Sequence, residues 1–359
     1  MDLEGTALSI QKGATAAPHV RPGAWARARR RRLSLSEYVD GVLRGDRVIL
    51  GRTITLIESS RPDDAELAQD ILEHCLPHTG NSIRVGITGV PGVGKSSVID
   101  ALGSYLTRQR GAKVAVLAID PSSEFSGGSI LGDKTRMERL AADEKAFIRP
   151  SPTGGSLGGV ARRTRETMLL CEAAGYRNII IETVGVGQSE TAVRSMVDFF
   201  LLLMLAGAGD ELQGMKRGIM EMANLIAINK ADGANVRAAQ AARREYESAL
   251  HLFPPSPSGW RPRVLTCSAK TGDGIAGLWE AVTEHNAWLK QTGYFEKLRR
   301  EQVRKWMYEV IDNELRQEFR NHAQVRALMP KLEEDVLNGR ISSFRAAGRL
   351  LKVYRENKS

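Results

Sequence analysis

The chain has 359 residues, 42% hydrophobic and 26% charged, a composition suited to one α/β core with a smaller helical addition. No apolar run approaches the roughly 20 residues that a membrane span requires, and the opening residues carry Asp2 and Glu4 without an apolar segment, so neither membrane insertion nor a secretory signal is expected. The net charge of +9 is concentrated in residues 1–32, where Lys12, Arg21, Arg27 and Arg29 to Arg32 face only two acids. An arginine run among Ala, Gly and Pro, with no aromatic platform beside it, reads as a solvated tail and not as a nucleic-acid interface. A mitochondrial transit peptide is a weaker reading, because such peptides are poor in acidic residues. Three widely spaced cysteines, Cys75, Cys171 and Cys267, read as reduced core thiols of a cytoplasmic protein.

After the tail, Ser34 and Ser36 can cap a helix carrying Tyr38, Val42 and Leu43 on one face. A second helix runs through Leu50, Ile54 and Ile57, is broken at Arg61-Pro62-Asp63-Asp64, and gives way to a third from Ala65 to Leu76. Short apolar runs then alternate with helices. Strands are expected at Arg84 to Thr88, Lys113 to Ile119, Asn178 to Ile181, Phe199 to Leu205, Leu225 to Ile228 and Val264 to Cys267. Helices are expected at Lys95 to Arg110, Val160 to Ala174 and Gln213 to Met222. Apolar strands without polar alternation, interleaved with helices, predict a mostly parallel sheet covered on both faces. Ligands of such sheets sit at the carboxyl ends of the strands. Pro254 to Pro262 reads as a loop. Beyond Ala287 the chain is helical again, and Val303, Trp306, Met307, Val310, Ile311 and Leu315 follow the spacing of one apolar face. That face either packs on the core or serves as a dimer arm.

Gly89-Val90-Pro91-Gly92-Val93-Gly94-Lys95-Ser96 fits G-x-x-x-x-G-K-[ST] between a strand and a helix. Its glycines let backbone N–H groups turn toward phosphate oxygens at a helix N-terminus. Lys95 would reach the β- and γ-phosphates, the Ser96 hydroxyl would ligate Mg²⁺, and Ser97 would continue toward the α-phosphate. Asp120, Asp133 and Glu182 are the acidic candidates for Mg²⁺, directly or through its waters. Gly185 is placed for its N–H to meet the γ-phosphate. Asn229-Lys230-Ala231-Asp232 ends the next strand but one. The Asp232 carboxylate can accept from the guanine ring N–H and exocyclic amine, which adenine lacks. Asn229 would tie this loop to the P-loop, the Lys230 stem would cover the purine, and a backbone N–H of Ser268-Ala269-Lys270 would meet the guanine carbonyl. Together these motifs predict a GTP-hydrolysing enzyme.

Four segments carry a family resemblance: Gly89 to Ser96, Ala118-Ile119-Asp120-Pro121-Ser122-Ser123, Glu182-Thr183-Val184-Gly185-Val186-Gly187-Gln188-Ser189 and Ala206-Gly207-Ala208-Gly209-Asp210-Glu211-Leu212-Gln213. The chain resembles the MeaB/ArgK/MMAA GTPases from about Ser34 to its C-terminal helices. The resemblance implies a SIMIBI-class GTPase that chaperones an adenosylcobalamin-dependent acyl-CoA mutase, chiefly methylmalonyl-CoA mutase, gating cofactor loading and protecting the enzyme. It also implies a homodimer through C-terminal helices, switch segments at Asp120 to Asp133 and beyond and at Glu182 to Glu190, and a relay formed by Asp210, Gln213 and Lys216. The expected organisation is a disordered basic tail at 1–33, an N-terminal helical segment at 34–80, a P-loop GTPase domain at 81–289 and a C-terminal helical dimerisation arm at 290–359. Slow intrinsic hydrolysis is expected, because Val186 stands where Ras-like GTPases place a water-orienting glutamine; Gln188 lies further on, and Arg162, Arg163 and Arg165 are candidates for an arginine supplied in cis. The other readings are a transport-linked kinase or ATPase, which Asp232 disfavours, and a nickel-insertion GTPase, for which His74, Cys75 and His78 supply too few ligands.

Overall fold

The computed structural model describes residues 31–119, 137–150, 157–183, 189–207, 217–254 and 256–356. The chain divides into two units, Met1–Ser34 and Leu35–Ser359, and the basic tail falls almost wholly outside the described residues. The second unit opens with three helices, α1 (Leu35–Leu43), α2 (Arg47–Glu58) and α3 (Pro62–Cys75). Asp46 caps α2 by accepting from the N–H groups of Val48 and Ile49 at 2.8 and 3.1 Å. The break between α2 and α3 lies where the sequence suggested, but α3 starts three residues earlier than Ala65, at Pro62. Pro62 begins the helix, since the first helical position needs no N–H and suits the fixed φ of proline. Cys75 ends α3 fully buried, and burial pushes its thiol up to about 11.

Among the described residues seven strands build one all-parallel sheet: β1 (Ile83–Gly89), β2 (Val114–Ile119), β3 (Ala146–Arg149), β4 (Asn178–Thr183), β5 (Phe199–Leu205), β6 (Leu225–Asn229) and β7 (Arg263–Thr266), in the order β3-β2-β4-β1-β5-β6-β7. The intervening helices are α4 (Lys95–Arg108), α5 (Glu138–Ala141), α6 (Leu157–Ala173), α7 (Ser189–Arg194), α8 (Arg217–Met222) and α9 (Val236–Leu250). Alternate residues feed opposite layers, as the pleat requires. Val85, Ile87, Leu201, Leu203, Leu225 and Ala227 join Ile99 and Leu102 of α4, while Leu202, Met204, Ile226 and Ile228 join Ala239, Ala242 and Tyr246 of α9. The first three helices pack on one another and on α6. This architecture is an α/β P-loop fold with helices added at both ends.

The last part of the chain is α10 (Ile275–Gln291), α11 (Tyr294–Asn321), α12 (Ala323–Leu337) and α13 (Ser343–Glu356). α11 is riveted to the amino-terminal edge of the sheet. Arg299 donates to both Asp198 oxygens at 2.6 and 2.7 Å, and Gln302 donates to Val197 O at 2.8 Å. Beside them Arg84 forks onto Glu172 at 2.8 and 2.9 Å, and both side chains are almost completely buried. Burial would raise the Glu172 carboxyl, but the charge and hydrogen bonds of Arg84, with those of Ser82 and the Gly80 N–H, outweigh it and hold the group at about 2.

The single apolar face read from the α11 sequence divides in two. The half-buried Trp306 turns inward, donating from Nε1 to Ser195 O at 3.1 Å, with the guanidinium groups of Arg84 and Arg165 5.7 and 5.4 Å from its ring. Val303, Met307, Ile311 and Leu315 are exposed in a separate row. Among the described residues no helix is long and apolar enough to cross a membrane.

Candidate functional site

β1 lies between β4 and β5, and the loop that leaves it is bent by glycine at three points. Gly89, Gly92 and Gly94 have φ of 152°, 79° and 93°, values that a side chain strongly disfavours. At Gly94 the space is closed as well, since a Cβ would lie 2.7 Å from Asn229 Nδ2. α4 begins directly at Lys95, aiming its first N–H groups back into the loop. The Lys95 ammonium is folded onto the loop, donating to Gly89 O at 2.8 Å and Val90 O at 3.3 Å. Burial lowers its pKa from the ordinary value, while the charges of Glu182 and Glu190 act in the opposite direction.

The parallel register sets Ile87 against Glu182, and the buried hydroxyls of Thr183 and Thr88 join the two strand ends at 2.8 Å. The Ser96 hydroxyl consequently donates to Glu182 Oε1 at 3.0 Å. A hydroxyl and a carboxylate meeting at the mouth of a P-loop are hard oxygen donors of the type Mg²⁺ takes, so the residues present fit that ion. The Thr88–Thr183 bond was not anticipated from sequence, where each residue is one strand-end threonine among several. Asp120, Asp133, Gly185, Asp210, Gln213 and Lys216 all lie outside the described residues.

On the other side of the loop β6 delivers Asn229, which is 2% exposed. Its amide donates to Val93 O at 2.8 Å, and its Oδ1 accepts from the Ala269 N–H at 3.3 Å. One side chain thus ties the P-loop to the segment after β7. Lys230 alone among described non-glycine residues has a positive φ, 59°, and its ammonium reaches back to Gly92 O at 3.0 Å. Asp232 Oδ2 accepts from the Ser268 hydroxyl at 2.6 Å, which fixes the carboxylate and leaves Oδ1 outside that bond. The Ser268 N–H is taken by Asp273 O at 2.9 Å and the Ala269 N–H by Asn229. Of the three consecutive N–H groups, that of Lys270 is the one without a partner among the described residues.

A pocket of about 480 Å³ opens between these loops, lined by Gly94, Ser97, Asn229, Lys230, Asp232, Ala269 and Lys270. Asp100 and Arg139 complete its wall, and sequence reasoning named neither. Asp100 accepts from Arg139 Nε at 2.7 Å and from the Leu140 N–H at 2.8 Å, joining α4 to α5. An acidic residue on the buried face of the P-loop helix was the available signal.

Two of the three arginines considered as catalytic groups in cis are committed elsewhere. Arg162 pairs with Glu166 at 3.2 Å and with Glu314 at 2.8 Å, and the buried Arg165 pairs with Glu309. They join α6 to α11. The other cysteines are core groups: Cys171 and Cys267 are buried, and burial raises both thiols, Cys267 to about 12. At the end of α3, His74 Nδ1 lies 2.7 Å from Asp70 O of its own helix, beside the buried Cys75. No group of three or more metal-ligating side chains occurs among the described residues.

Comparison with known proteins agrees with this geometry. A protein of Mycobacterium tuberculosis described as a probable GTPase is 51% identical over 321 residues, covering 88% of this chain and 95% of that one. The mouse mitochondrial methylmalonic aciduria type A homolog is 45% identical over 325 residues, covering 88% of this chain and 78% of its own. The crystal structure of a LAO/AO transport system kinase superposes with a TM-score of 0.73 at 38% identity, covering 90% of this chain and all of that one. Residues 50–324 match the family model described as methylmalonyl Co-A mutase-associated GTPase MeaB. With a P-loop, an Asn-Lys-x-Asp loop and a Ser-Ala-Lys loop on one sheet edge, the chain belongs to the MeaB family of GTPases.

Proposed function

We propose that this GTPase binds GTP with Mg²⁺, hydrolyses it slowly alone, and uses the cycle to serve an adenosylcobalamin-dependent acyl-CoA mutase. Its client is methylmalonyl-CoA mutase, its tasks are gating cofactor loading and protecting the enzyme, and its setting is the cytoplasm. The observation that carries the mutase assignment is the match to the mutase-associated family over residues 50–324. The nucleotide reading is supported by the site itself. Asp232, oriented by Ser268, accepts from the guanine ring N–H and amine, and the Lys270 N–H meets the guanine carbonyl. Lys95 leaves Gly89 O and Val90 O for the phosphates, whose charge repays its burial. Ser96 and Glu182 hold the metal directly or through its waters, with Asp120 and Asp133 as further oxygen donors. When bound, Mg²⁺ neutralises charge on the β- and γ-phosphate oxygens. The Gly185 N–H addresses the γ-phosphate.

The exposed row Val303, Met307, Ile311 and Leu315 on α11 supports a homodimer through the C-terminal helices. Asp210, Gln213 and Lys216 relay the nucleotide state to the mutase. The test is single-turnover GTP hydrolysis with and without the mutase. We expect at least roughly tenfold stimulation, about 1.4 kcal/mol of barrier, and loss of most of it in Lys216→Ala with intrinsic turnover kept. A fast isolated enzyme, or Lys216→Ala stimulated as well as wild type, refutes the proposal.

A further inference from the structure

A cavity of about 880 Å³ opens at the amino-terminal edge of β6 and β7, the opposite end of these strands from Asn229 and Ser268. Its size is that of a small-molecule site. Much of the wall is apolar, with Met220, Leu250, Phe253, Trp260, Val264 and Leu265 lining it. Trp260 is held in place from three directions. Its Nε1 donates to Asn224 O at 3.0 Å, its carbonyl accepts from the Ser256 hydroxyl at 2.8 Å, and its ring meets the edge of His285 at 4.9 Å.

Arg194, the last residue of α7, also lines this cavity. Its guanidinium makes no hydrogen bond or ion pair among the described residues. Burial lowers its pKa, with Tyr294 and Asp198 acting the other way, but Asp198 is already committed to Arg299 and to the Arg84 N–H. His285 next to it stays neutral, its pKa pushed down to about 3 by burial and by Arg194 itself. Arg243 and Arg263 at the rim are paired with Glu247 and Glu284 at 2.8 and 2.6 Å, and Glu221 adds a further acid. The exposed Arg261 has no carboxylate partner among the described residues. Arg194 is half-buried, and a partly desolvated guanidinium without a hydrogen-bonded anion has a planar fork that matches a carboxylate or a phosphate.

We propose that this cavity is a second ligand site, which takes a small organic anion with its carboxylate or phosphate on Arg194 and its apolar body against Trp260, Phe253 and Leu250. The site is separate from the nucleotide pocket and independent of the identity of the client enzyme.

The experiment is calorimetric titration of the full chain, saturated with GDP so that the P-loop cannot take the probe. The probes are hexanoate and hexyl phosphate, which separate the two head groups, with 1-hexanol as the uncharged control. We expect saturable binding of at least one anion and none of hexanol. Arg194→Gln should weaken that binding roughly tenfold or more, with GDP affinity and Tm unchanged, and Arg194→Lys should retain part of it. Should Arg194→Gln fail to fold, Leu250→Trp, which crowds the apolar wall against which the ligand body would lie, must weaken binding. Absence of saturable binding up to about 10 mM of either anion means a water-filled cavity and overturns the proposal. Undiminished affinity in Arg194→Gln or Leu250→Trp overturns it equally.

Discussion

Asn229→Ala removes the side chain that, among the described residues, joins the P-loop to the loop after β7. The amide donates to Val93 O at 2.8 Å and accepts from the Ala269 N–H at 3.3 Å, and the residue is 2% exposed. Each lost bond contributes about 1 kcal/mol, and a buried group left without a partner costs about 1–3 kcal/mol more. The second bond is long, so the total lies near 3 kcal/mol, or roughly 5–10 °C in Tm for a domain of this size. Binding should suffer too, because the three loops no longer hold their bound arrangement in the free protein. If about 2 kcal/mol of that preorganisation is lost, GDP affinity falls by roughly 30-fold. Thermal melting of the apoprotein and calorimetric titration with GDP measure the two quantities separately. Wild-type Tm together with wild-type GDP affinity would refute the role of Asn229 as the tie. Loss of stability with affinity intact would reduce it to a packing residue.

Asp232→Asn should exchange guanine preference for xanthine, because an amide donates where the carboxylate only accepts; competition between GDP and XDP reads the change, and unaltered GDP preference would sink the base-site reading. Glu172→Gln should destabilise the fold by about 3–5 kcal/mol at pH 7, since it strands Arg84 in the interior. The Glu172 pKa is depressed from 4.5 to about 2, so its contribution is complete above about pH 4.5 and disappears as pH falls toward 2. Urea titrations across that window should show wild type and variant converging, and a constant difference would refute the linkage. Met307→Asp with Ile311→Asp should give a monomer that still binds GDP, because these two side chains face solvent; unchanged mass by light scattering would count against the dimer.

The parts of the fold legible in the sequence are those where burial is two-sided. Phe199–Leu205 is apolar at every position because every side chain meets another layer, and no helix of seven residues reads that way. β3 escaped notice because it has four residues, follows Asp143, Glu144 and Lys145, and joins the sheet only through β2. α9 escaped because Ala239, Ala242 and Tyr246 are its only fully buried side chains. On α11 the six apolar positions span about half the helix circumference at 100° per residue, and periodicity cannot tell which part of so wide a stripe the core covers. The loops that follow β1 and β6 could be located because their signals are local, with spacing that the backbone enforces. The Ser96–Glu182 contact, the Thr88–Thr183 bond and the Arg165–Glu309 pair join residues far apart in the chain. Only strand register brings the first two together, and only helix docking brings the third.

Lys230 has a cost that glycine would avoid. Its φ of 59° carries about 1–2 kcal/mol of steric strain for a side-chain-bearing residue, and the strained turn is what lets the ammonium cross to Gly92 O. Selection for thermal stability alone would therefore favour glycine at this position, whereas selection for the contact with Gly92 O would restore lysine. A library screened only for melting temperature would carry variants that look improved and have lost the contact with Gly92 O. Position 230 records which of the two pressures has governed the protein.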